Sequence, residues 1–124
     1  MSISDPISNL IVYLSNATAA GHDSVDIPAS SFKNKIADLL QKEGVIVTHT
    51  EIEKESFKFL HIQLNPAFTH FKRLSKPGKR WYVKASALPR NKREIIILSA
   101  PRGLMTVKDA IKAHVGGELI MEVR

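Results

Sequence analysis

The break at Asn65-Pro66 constrains the fold of this 124-residue chain more than any other sequence feature. Asparagine followed by proline favours a turn, and proline cannot donate the backbone hydrogen bond that a continuing strand needs. Before the break, helical spacings alternate with short strand patterns, whereas almost every segment after it has a strand pattern. We therefore predict an α+β protein of two small subdomains, residues 1–65 and residues 66–124.

The first half predicts the order helix, strand, helix, strand, strand. Asp5 can cap a first helix that has Pro6 at its first position, and apolar residues follow at helical spacing: Ile7, Leu10, Ile11 and Leu14. Because residues 16–24 are small, polar and glycine-containing, we expect this helix to fray from Asn16 onward. Residues 24–28 alternate and stop at a proline, which is typical of a short strand.

A second helix follows, with Ser30 or Ser31 as its N-cap and Gly44 at its end. Its predicted buried face consists of Phe32, Ile36, Leu39 and Leu40. Strand patterns then begin at residue 45 and cover residues 57–64. The charged residues 51–56 are predicted to form the turn between these two strands.

The second half is predicted to be mainly β, with one short helix. Strand patterns cover residues 71–74, 80–83, 94–98 and 119–123, and turns or loops are predicted at 76–79 and 100–103. Thr106 is the expected N-cap of a helix over residues 107–114. Gly116-Gly117 is the expected terminator of that helix.

Charge is distributed unevenly along the chain, whose formal net charge is +6. Residues 1–62 contain five bases and eight acids, whereas residues 63–124 contain thirteen bases and four acids. Such asymmetry indicates a polyanion bound on one side of the molecule. The alternative interpretation is a solvated cationic face without a specific partner.

The residues that catalysis, metals and cofactors require are not assembled in this sequence. Cysteine is absent, which excludes thiol nucleophiles and thiolate metal sites, and the five histidines lack ligand-pair spacing. No nucleophile elbow, phosphate-binding glycine loop or dinucleotide motif occurs, and no apolar run approaches the roughly 20 residues that span a bilayer. We therefore expect a non-enzyme with no metal, no cofactor, no small-molecule substrate and no membrane partner.

A cluster of cations in the second half has aromatic residues between its members. Residues 72–84 contain Lys72, Arg73, Lys76, Lys79, Arg80 and Lys84, with Phe71, Trp81 and Tyr82 beside or among them. Cations of this kind neutralise phosphates, and exposed aromatic rings stack on bases. The alternative is that Trp81 and Tyr82 are half-buried strand residues, and we expect this of at least one, since neighbours on a strand point to opposite faces.

The segment 98–106 follows a buried strand and precedes a helix, where backbone N–H groups are exposed. Ser99 offers a small hydroxyl for a base edge or a ribose, and Arg102 adds charge. By spacing alone, the same segment is a turn followed by a helix cap.

Several motifs occur together in an order that resembles one known family. The most specific are the turn Ser75-Lys76-Pro77-Gly78-x-Arg80-x-Tyr82, the cap Gly103-x-Met105-Thr106 and the C-terminal Gly116-Gly117-Glu118. Together with Asp5-Pro6, Pro28 and Leu88-Pro89, these motifs resemble the ribosomal protein S8 family of the small subunit, in its bacterial or organellar form. The similarity extends from about Asp5 to Val123.

The resemblance implies two subdomains, an N-terminal α/β one and a mainly β C-terminal one with a short helix. It also implies a protein that binds the central domain of small-subunit rRNA, supports subunit assembly and contacts neighbouring ribosomal proteins. An alternative is a translational regulator that binds messenger RNA outside the ribosome with the same surface.

The family's RNA-binding positions can be carried over to this sequence. Ser99, Arg102 and Gly103 would read the RNA with Thr106 beside them, and phosphates would be held by Lys76, Lys79 and Arg80. A secondary RNA surface on the N-terminal subdomain would include Asp5, Asn16, Ser30 and Lys33.

Three departures from the family pattern indicate a divergent member. The family's R-x-R-N after the first helix is here Tyr13, Ser15 and Asn16, and its S-T-S is Ser99-Ala100-Pro101. The glycine-rich approach to the strand before Ser99 is replaced by residues 90–93, Arg-Asn-Lys-Arg. We expect an organellar ribosome, mitochondrial rather than plastid, with the bacterial cytoplasm as the alternative.

Overall fold

The computed structural model describes residues 6–76, 78–89 and 94–124, so Asp5 and the basic segment 90–93 lie outside these ranges. The chain divides into two compact units, Met1–Thr69 and His70–Arg124, whereas the boundary predicted from the sequence lies between residues 65 and 66. None of the helices in the described ranges has the length and hydropathy of a membrane-spanning segment.

The elements confirm the predicted α+β class and the predicted order of the N-terminal half. Unit 1 contains α1 (Pro6–Ala19), β1 (Ser24–Pro28), α2 (Ser31–Lys42), β2 (Ile46–Lys54) and β3 (Phe57–Leu64). Unit 2 contains β4 (Phe71–Arg73), β5 (Tyr82–Val83), a short 3-10 helix (Ala85–Ala87), β6 (Ile95–Ala100), β7 (Gly103–Thr106), α3 (Val107–Ala113) and β8 (Gly117–Val123).

Helix α1 is longer than its polar C-terminal sequence predicts. It continues past Asn16 to Ala19, because Ala17 is buried and the Thr18 hydroxyl donates to the carbonyl oxygens of Leu14 and Ser15, each at 3.0 Å. A hydroxyl that bonds to carbonyls three and four residues earlier in its own helix is compatible with a continuing helix. The fraying expected from Asn16 onward is therefore wrong.

Helix α2 begins as predicted but buries a different set of side chains. Ser30 is the N-cap, with its Oγ accepting from the Lys33 N–H at 3.2 Å. The buried residues are Lys33, Ile36, Ala37 and Leu40, whereas Phe32 and Leu39 are only partly buried. The predicted face is therefore rotated toward Lys33 and Ala37, which have the small or flexible side chains that close packing accommodates.

The sheet of unit 1 is antiparallel, with the order β1-β3-β2. The predicted turn at residues 51–56 is too long, since β2 pairs with β3 as far as Lys54 opposite Phe57. The connection consists of Glu55 and Ser56, which have positive φ angles of 51° and 71°. Two consecutive positive φ angles match the twist of a tight hairpin, which explains why the charged residues before them remain in the strand.

Asp26 on β1 links all three strands of this sheet. Its carboxylate accepts from Lys54 Nζ at 2.6 Å and lies 2.7 Å from His61 Nδ1. The hydrogen bond from Lys54, followed by that from His61, holds the pKa of Asp26 below its ordinary value of 3.8. A carboxyl whose pKa is lower in the folded state stabilises the fold above its unfolded pKa and loses this contribution as the pH falls.

We expect the free energy of unfolding of Asp26→Asn to depend less on pH at acidic pH than that of the wild type. The wild type should lose more free energy of unfolding than the variant as the pH falls from 5 through 3.8 and below, and the difference near neutrality should be about 0.5–1 kcal/mol, as for other surface ion pairs. Urea unfolding at pH 3 to 7 measures both. Glu55→Gln is the control, and equal pH profiles for Asp26→Asn and wild type would contradict the assignment.

The sheet of unit 2 has the order β4-β8-β6-β7, and β5 also pairs with β8. Helix α3 packs on one face of this sheet over a core of Leu88, Ile96, Leu98, Ala100, Val107, Ala110 and Leu119. The alternate residues Ile96, Leu98 and Ala100 of β6 all belong to this core. Ser99, which lies between the last two, therefore faces the other way.

Strand β7 is not predicted from the sequence. Residues 103–106 were expected to be loop and helix cap, but they pair with β6 from Ala100 opposite Gly103 to Ile97 opposite Thr106. The expected loop at 100–103 is thus the end of a hairpin whose turn residues are Pro101 and Arg102. The predicted strand at 80–83 is also shorter, covering only Tyr82 and Val83.

Gly116 and Gly117 do not terminate α3 as predicted. The helix ends at Ala113, and His114 provides the left-handed C-cap with φ 57°. A Cβ on Gly116 would collide with the Val83 carbonyl oxygen and lie 2.8 Å from the Ala85 nitrogen, and one on Gly117 would collide with the Ser99 carbonyl oxygen. The two glycines are needed because neighbouring backbone approaches β8 closely at this point.

Candidate nucleic-acid interface

The pairing of three strands in unit 2 places Ser99, Glu118 and Tyr82 in one row. Ser99 of β6 is directly opposite Glu118 of β8, and Glu118 is directly opposite Tyr82 of β5. Residues directly opposite each other on antiparallel strands project to the same side of the sheet. This row therefore lies on the face away from α3, and we call it the polar row.

Arg80 is attached to the polar row through Glu118. Its Nη1 donates to Glu118 Oε1 at 3.2 Å and to Oε2 at 3.4 Å, while 57% of the Arg80 side chain and 14% of the Glu118 side chain remain exposed. A guanidinium has five N–H donors in a fixed fork, so these contacts leave others available for a phosphate. Glu118 thus orients an exposed cation.

The turn before Arg80 presents two further cations. Lys76 and Lys79 are joined by backbone hydrogen bonds in both directions, 3.0 Å from Lys76 N to Lys79 O and 2.9 Å in the reverse sense. Both lysines are exposed. The Pro-Gly dipeptide in the sequence predicts a turn that pushes both lysine side chains outward, and their exposure agrees with this.

Ser75 fixes this turn to the sheet. Its hydroxyl, in a residue only 1% exposed, accepts from the Trp81 N–H at 2.8 Å. The backbone of β8 holds both ends, because Ser75 N donates to the Leu119 carbonyl at 3.1 Å and Leu119 N donates to the Trp81 carbonyl at 2.9 Å. In the sequence Ser75 is part of a motif, and nothing in its local spacing indicates that it is buried.

Both aromatic residues of this region are accessible. Tyr82 is 68% exposed, and Trp81 is 51% exposed and lies outside β5, so the expectation that at least one of them is a half-buried strand residue is wrong. Tyr82 belongs to the polar row by its pairing with Glu118. Neither Tyr82 nor Glu118 is among the RNA-binding residues predicted from the sequence, because their proximity to Ser99 depends on strand register.

The β6–β7 turn, which follows Ser99 in the chain, adds a further cation to this region. Arg102 is exposed in this turn, and Gly103 has a φ of 125°, which favours glycine. Within the described part of the chain, the Ser99 hydroxyl has no hydrogen-bond partner. The side chain of the next residue, Ala100, points into the core. Of Ser99 and Ala100, only Ser99 therefore presents its side chain on the face of the polar row.

Three other predicted RNA contacts have internal roles in the structure. Lys33 is 6% exposed, its Nζ donates to Asn9 Oδ1 at 2.6 Å and to the Pro28 carbonyl at 2.9 Å, and burial lowers its pKa. Thr106 is 2% exposed and caps α3 by accepting from the Asp109 N–H at 3.2 Å. Ser30 caps α2. Lys33, Thr106 and Ser30 are therefore already bonded within the protein. Of the residues predicted for the secondary RNA surface, Asn16 is the only exposed one among the described residues.

An exposed cationic turn beside a row of polar and aromatic side chains on one sheet face is typical of proteins that bind nucleic acid. The family comparison is more specific, because residues 5–124 match the model of the family described as "Ribosomal protein S8". The chain therefore belongs to the ribosomal protein S8 family, as the sequence motifs predicted.

Individual relatives agree over almost the whole chain. A protein from Pelagibacter ubique (strain HTCC1062) named "Small ribosomal subunit protein uS8" is 43% identical over 131 residues, covering 99% of each chain. Proteins of the same name are 41% identical in Lachnoclostridium phytofermentans, covering 97% of each chain, and 36% identical in Thermus aquaticus, covering 98% of this chain and 99% of the relative. These relatives are bacterial, so they give no support to the organellar expectation.

Proposed function

We propose that this protein is a constituent of a bacterial small ribosomal subunit, where it binds the central domain of the rRNA and supports assembly. The observation that carries the proposal is the polar row, with Arg80 oriented by Glu118 at its edge. The names of the bacterial relatives support the ribosomal setting, because they describe small-subunit proteins.

The groups on this face have different chemical roles in the proposed complex. Lys76, Lys79, Arg80 and Arg102 contact phosphates, which positions the RNA without reading its sequence. The Ser99 hydroxyl bonds a base edge or a ribose, and the Tyr82 ring stacks on a base or sugar. Because Glu118 carries a negative charge, its place beneath Arg80 keeps it from facing a phosphate directly.

Unit 1 offers little to an RNA backbone. Helix α1 has no charged residue from Pro6 to Ala19, and the ammonium of Lys33 is buried. Lys54 and Lys58 are paired with Asp26 and Glu51, at 2.6 Å and 3.9 Å. We therefore place the main RNA contact on unit 2, where the sequence has its excess of bases.

Salt-dependent binding to a defined RNA tests the function. The probe is a transcribed central-domain fragment of small-subunit rRNA from Pelagibacter ubique, and the control is an unrelated duplex of the same length. Four neutralised phosphates predict a slope of about −3 in a plot of log K against log salt concentration. Equal affinity for both RNAs, or binding that is indifferent to salt, would contradict the proposal.

Arg80→Ala should weaken binding to the fragment and to the control duplex alike. Since a phosphate contact carries no base information, we expect the magnitude of the salt slope to fall by about one. Filter binding at salt concentrations from about 50 to 200 mM measures the slope. Lys35→Ala, at an exposed lysine on α2, is the matched control and should leave the slope unchanged. An unchanged slope in Arg80→Ala would remove Arg80 from the interface.

A further inference from the structure

The cationic turn between Ser75 and Trp81 is closed by hydrogen bonds at two levels. Nearer its tip, Lys76 and Lys79 form an antiparallel bridge through their backbones. At its base, the Trp81 N–H donates to the Ser75 hydroxyl at 2.8 Å, while the Ser75 carbonyl oxygen accepts from Arg73 Nε. The closure at the base therefore depends on the side chain of residue 75, and not on a backbone ladder that any residue could provide.

The Ser75 hydroxyl lies where water does not compete for it. Ser75 is 1% exposed, and its backbone and that of Trp81 are both bonded to Leu119 of β8, at 3.1 Å and 2.9 Å. A side chain without an oxygen at position 75 would leave the Trp81 N–H without its acceptor, which costs free energy in the folded protein. We expect the backbone of Trp81, and of Arg80 immediately before it, then to lose its fixed position.

An ordered turn lowers the free-energy cost of binding a phosphate backbone. Lys76, Lys79 and Arg80 are all exposed. In a loosely held turn these long side chains would become ordered only when RNA binds, which reduces the affinity without changing the contacts in the complex. The salt slope depends on the number of phosphates that are neutralised in the complex. A loss of order before binding can therefore be distinguished from the loss of a charge.

We propose that Ser75 is a positioning residue for RNA binding, whose buried hydroxyl holds the turn in the conformation in which its cations contact phosphates. The proposal rests on the proposed function, because it concerns the same face of unit 2. Ser75 carries no charge and is almost inaccessible, so a direct contact with RNA does not explain an effect of its replacement. The hydroxyl acts on RNA through Lys76, Lys79 and Arg80.

Binding of Ser75→Ala at several salt concentrations tests the positioning role. We expect this variant to bind the rRNA fragment and the control duplex about tenfold more weakly than the wild type, with an unchanged salt slope. Arg80→Ala should instead reduce the slope, and Ser99→Ala should reduce the preference for the fragment. Filter binding measures all three quantities. Ser86→Ala, at an exposed serine of the 3-10 helix, is the matched control and should bind as the wild type does.

Hydrogen exchange in the full-length protein without RNA tests the hydrogen bond itself. The Trp81 amide should exchange at least about tenfold faster in Ser75→Ala than in the wild type, while the amides of β3 in unit 1 are unaffected. Asp26→Asn, which removes an ion pair of unit 1, is the control for a general loss of stability and should change neither this rate nor the RNA affinity. If Ser75→Ala does not fold, Ser75→Cys replaces the hydroxyl by a weaker acceptor and should show smaller changes in the same direction.

Three results would overturn the positioning role of Ser75. They are wild-type RNA affinity in Ser75→Ala, an unaltered exchange rate of the Trp81 amide, and a salt slope reduced as in Arg80→Ala, which would mean that phosphate contacts were lost from the complex itself. Salt-indifferent binding by the wild type would refute the proposed function together with this proposal. Salt-dependent wild-type binding, combined with wild-type behaviour of Ser75→Ala, would refute the positioning role alone.

Discussion

Gly116→Ala should destabilise the protein by about 3 kcal/mol, at the upper end of the usual cost of inserting a methyl group where no space exists. The new Cβ would collide with the Val83 carbonyl oxygen and lie 2.8 Å from the Ala85 nitrogen and 2.9 Å from the Lys84 carbonyl carbon. All three are backbone atoms, so no side-chain rotation relieves the contact. Either β5 moves away from β8 or the fold loses stability.

Urea unfolding of Gly116→Ala and of a second glycine variant distinguishes the destabilisation caused by this contact from the general cost of replacing a glycine. Gly78→Ala is the matched control, because no atom lies within 4 Å of the position that its Cβ would occupy. We expect its free energy of unfolding to remain within about 0.5 kcal/mol of the wild type. If Gly116→Ala is equally mild, the close approach of β5 to β8 is not a feature of the folded protein.

Ser99→Ala should reduce affinity for the rRNA fragment by about 1–3 kcal/mol, or roughly 5- to 150-fold. The hydroxyl is the only polar group that Ser99 contributes to the polar row, and its removal leaves an RNA partner unpaired within the complex. Because Ser99 has no hydrogen-bond partner among the described residues, its loss should leave the stability of the free protein almost unchanged. Filter binding and urea unfolding of the same variant measure the two effects.

Comparison with other variants tests whether the loss of RNA affinity in Ser99→Ala comes from recognition of a base or ribose and not from a loss of charge. Ser86→Ala, at an exposed serine in the 3-10 helix, should bind as the wild type does. Unlike Arg80→Ala, Ser99→Ala should leave the salt slope unaltered and reduce the preference for the fragment over the control duplex. Wild-type affinity in Ser99→Ala together with a loss in Arg80→Ala would mean that charge alone holds the RNA.

The sequence predicted the elements whose signals are local. The alternation of residues 57–64 coincides with β3, the serine before α2 is its cap, and the motifs from Asp5 to Val123 predicted the correct family. Errors occurred where a local signal had two meanings. Gly116-Gly117 can end a helix or admit neighbouring backbone, and residues 103–106 can be a loop or a strand, depending on what pairs with them.

What the sequence by itself determined was the α+β class, the excess of bases in the second half and the family, because composition, periodicity and motifs are written along the chain. Only the tertiary structure decided which groups form the site. It brought Glu118 and Tyr82 beside Ser99 by strand register, and it buried Lys33, whose charge in the sequence resembles that of any surface lysine. Register and burial depend on contacts between residues far apart in the chain, which no local pattern records.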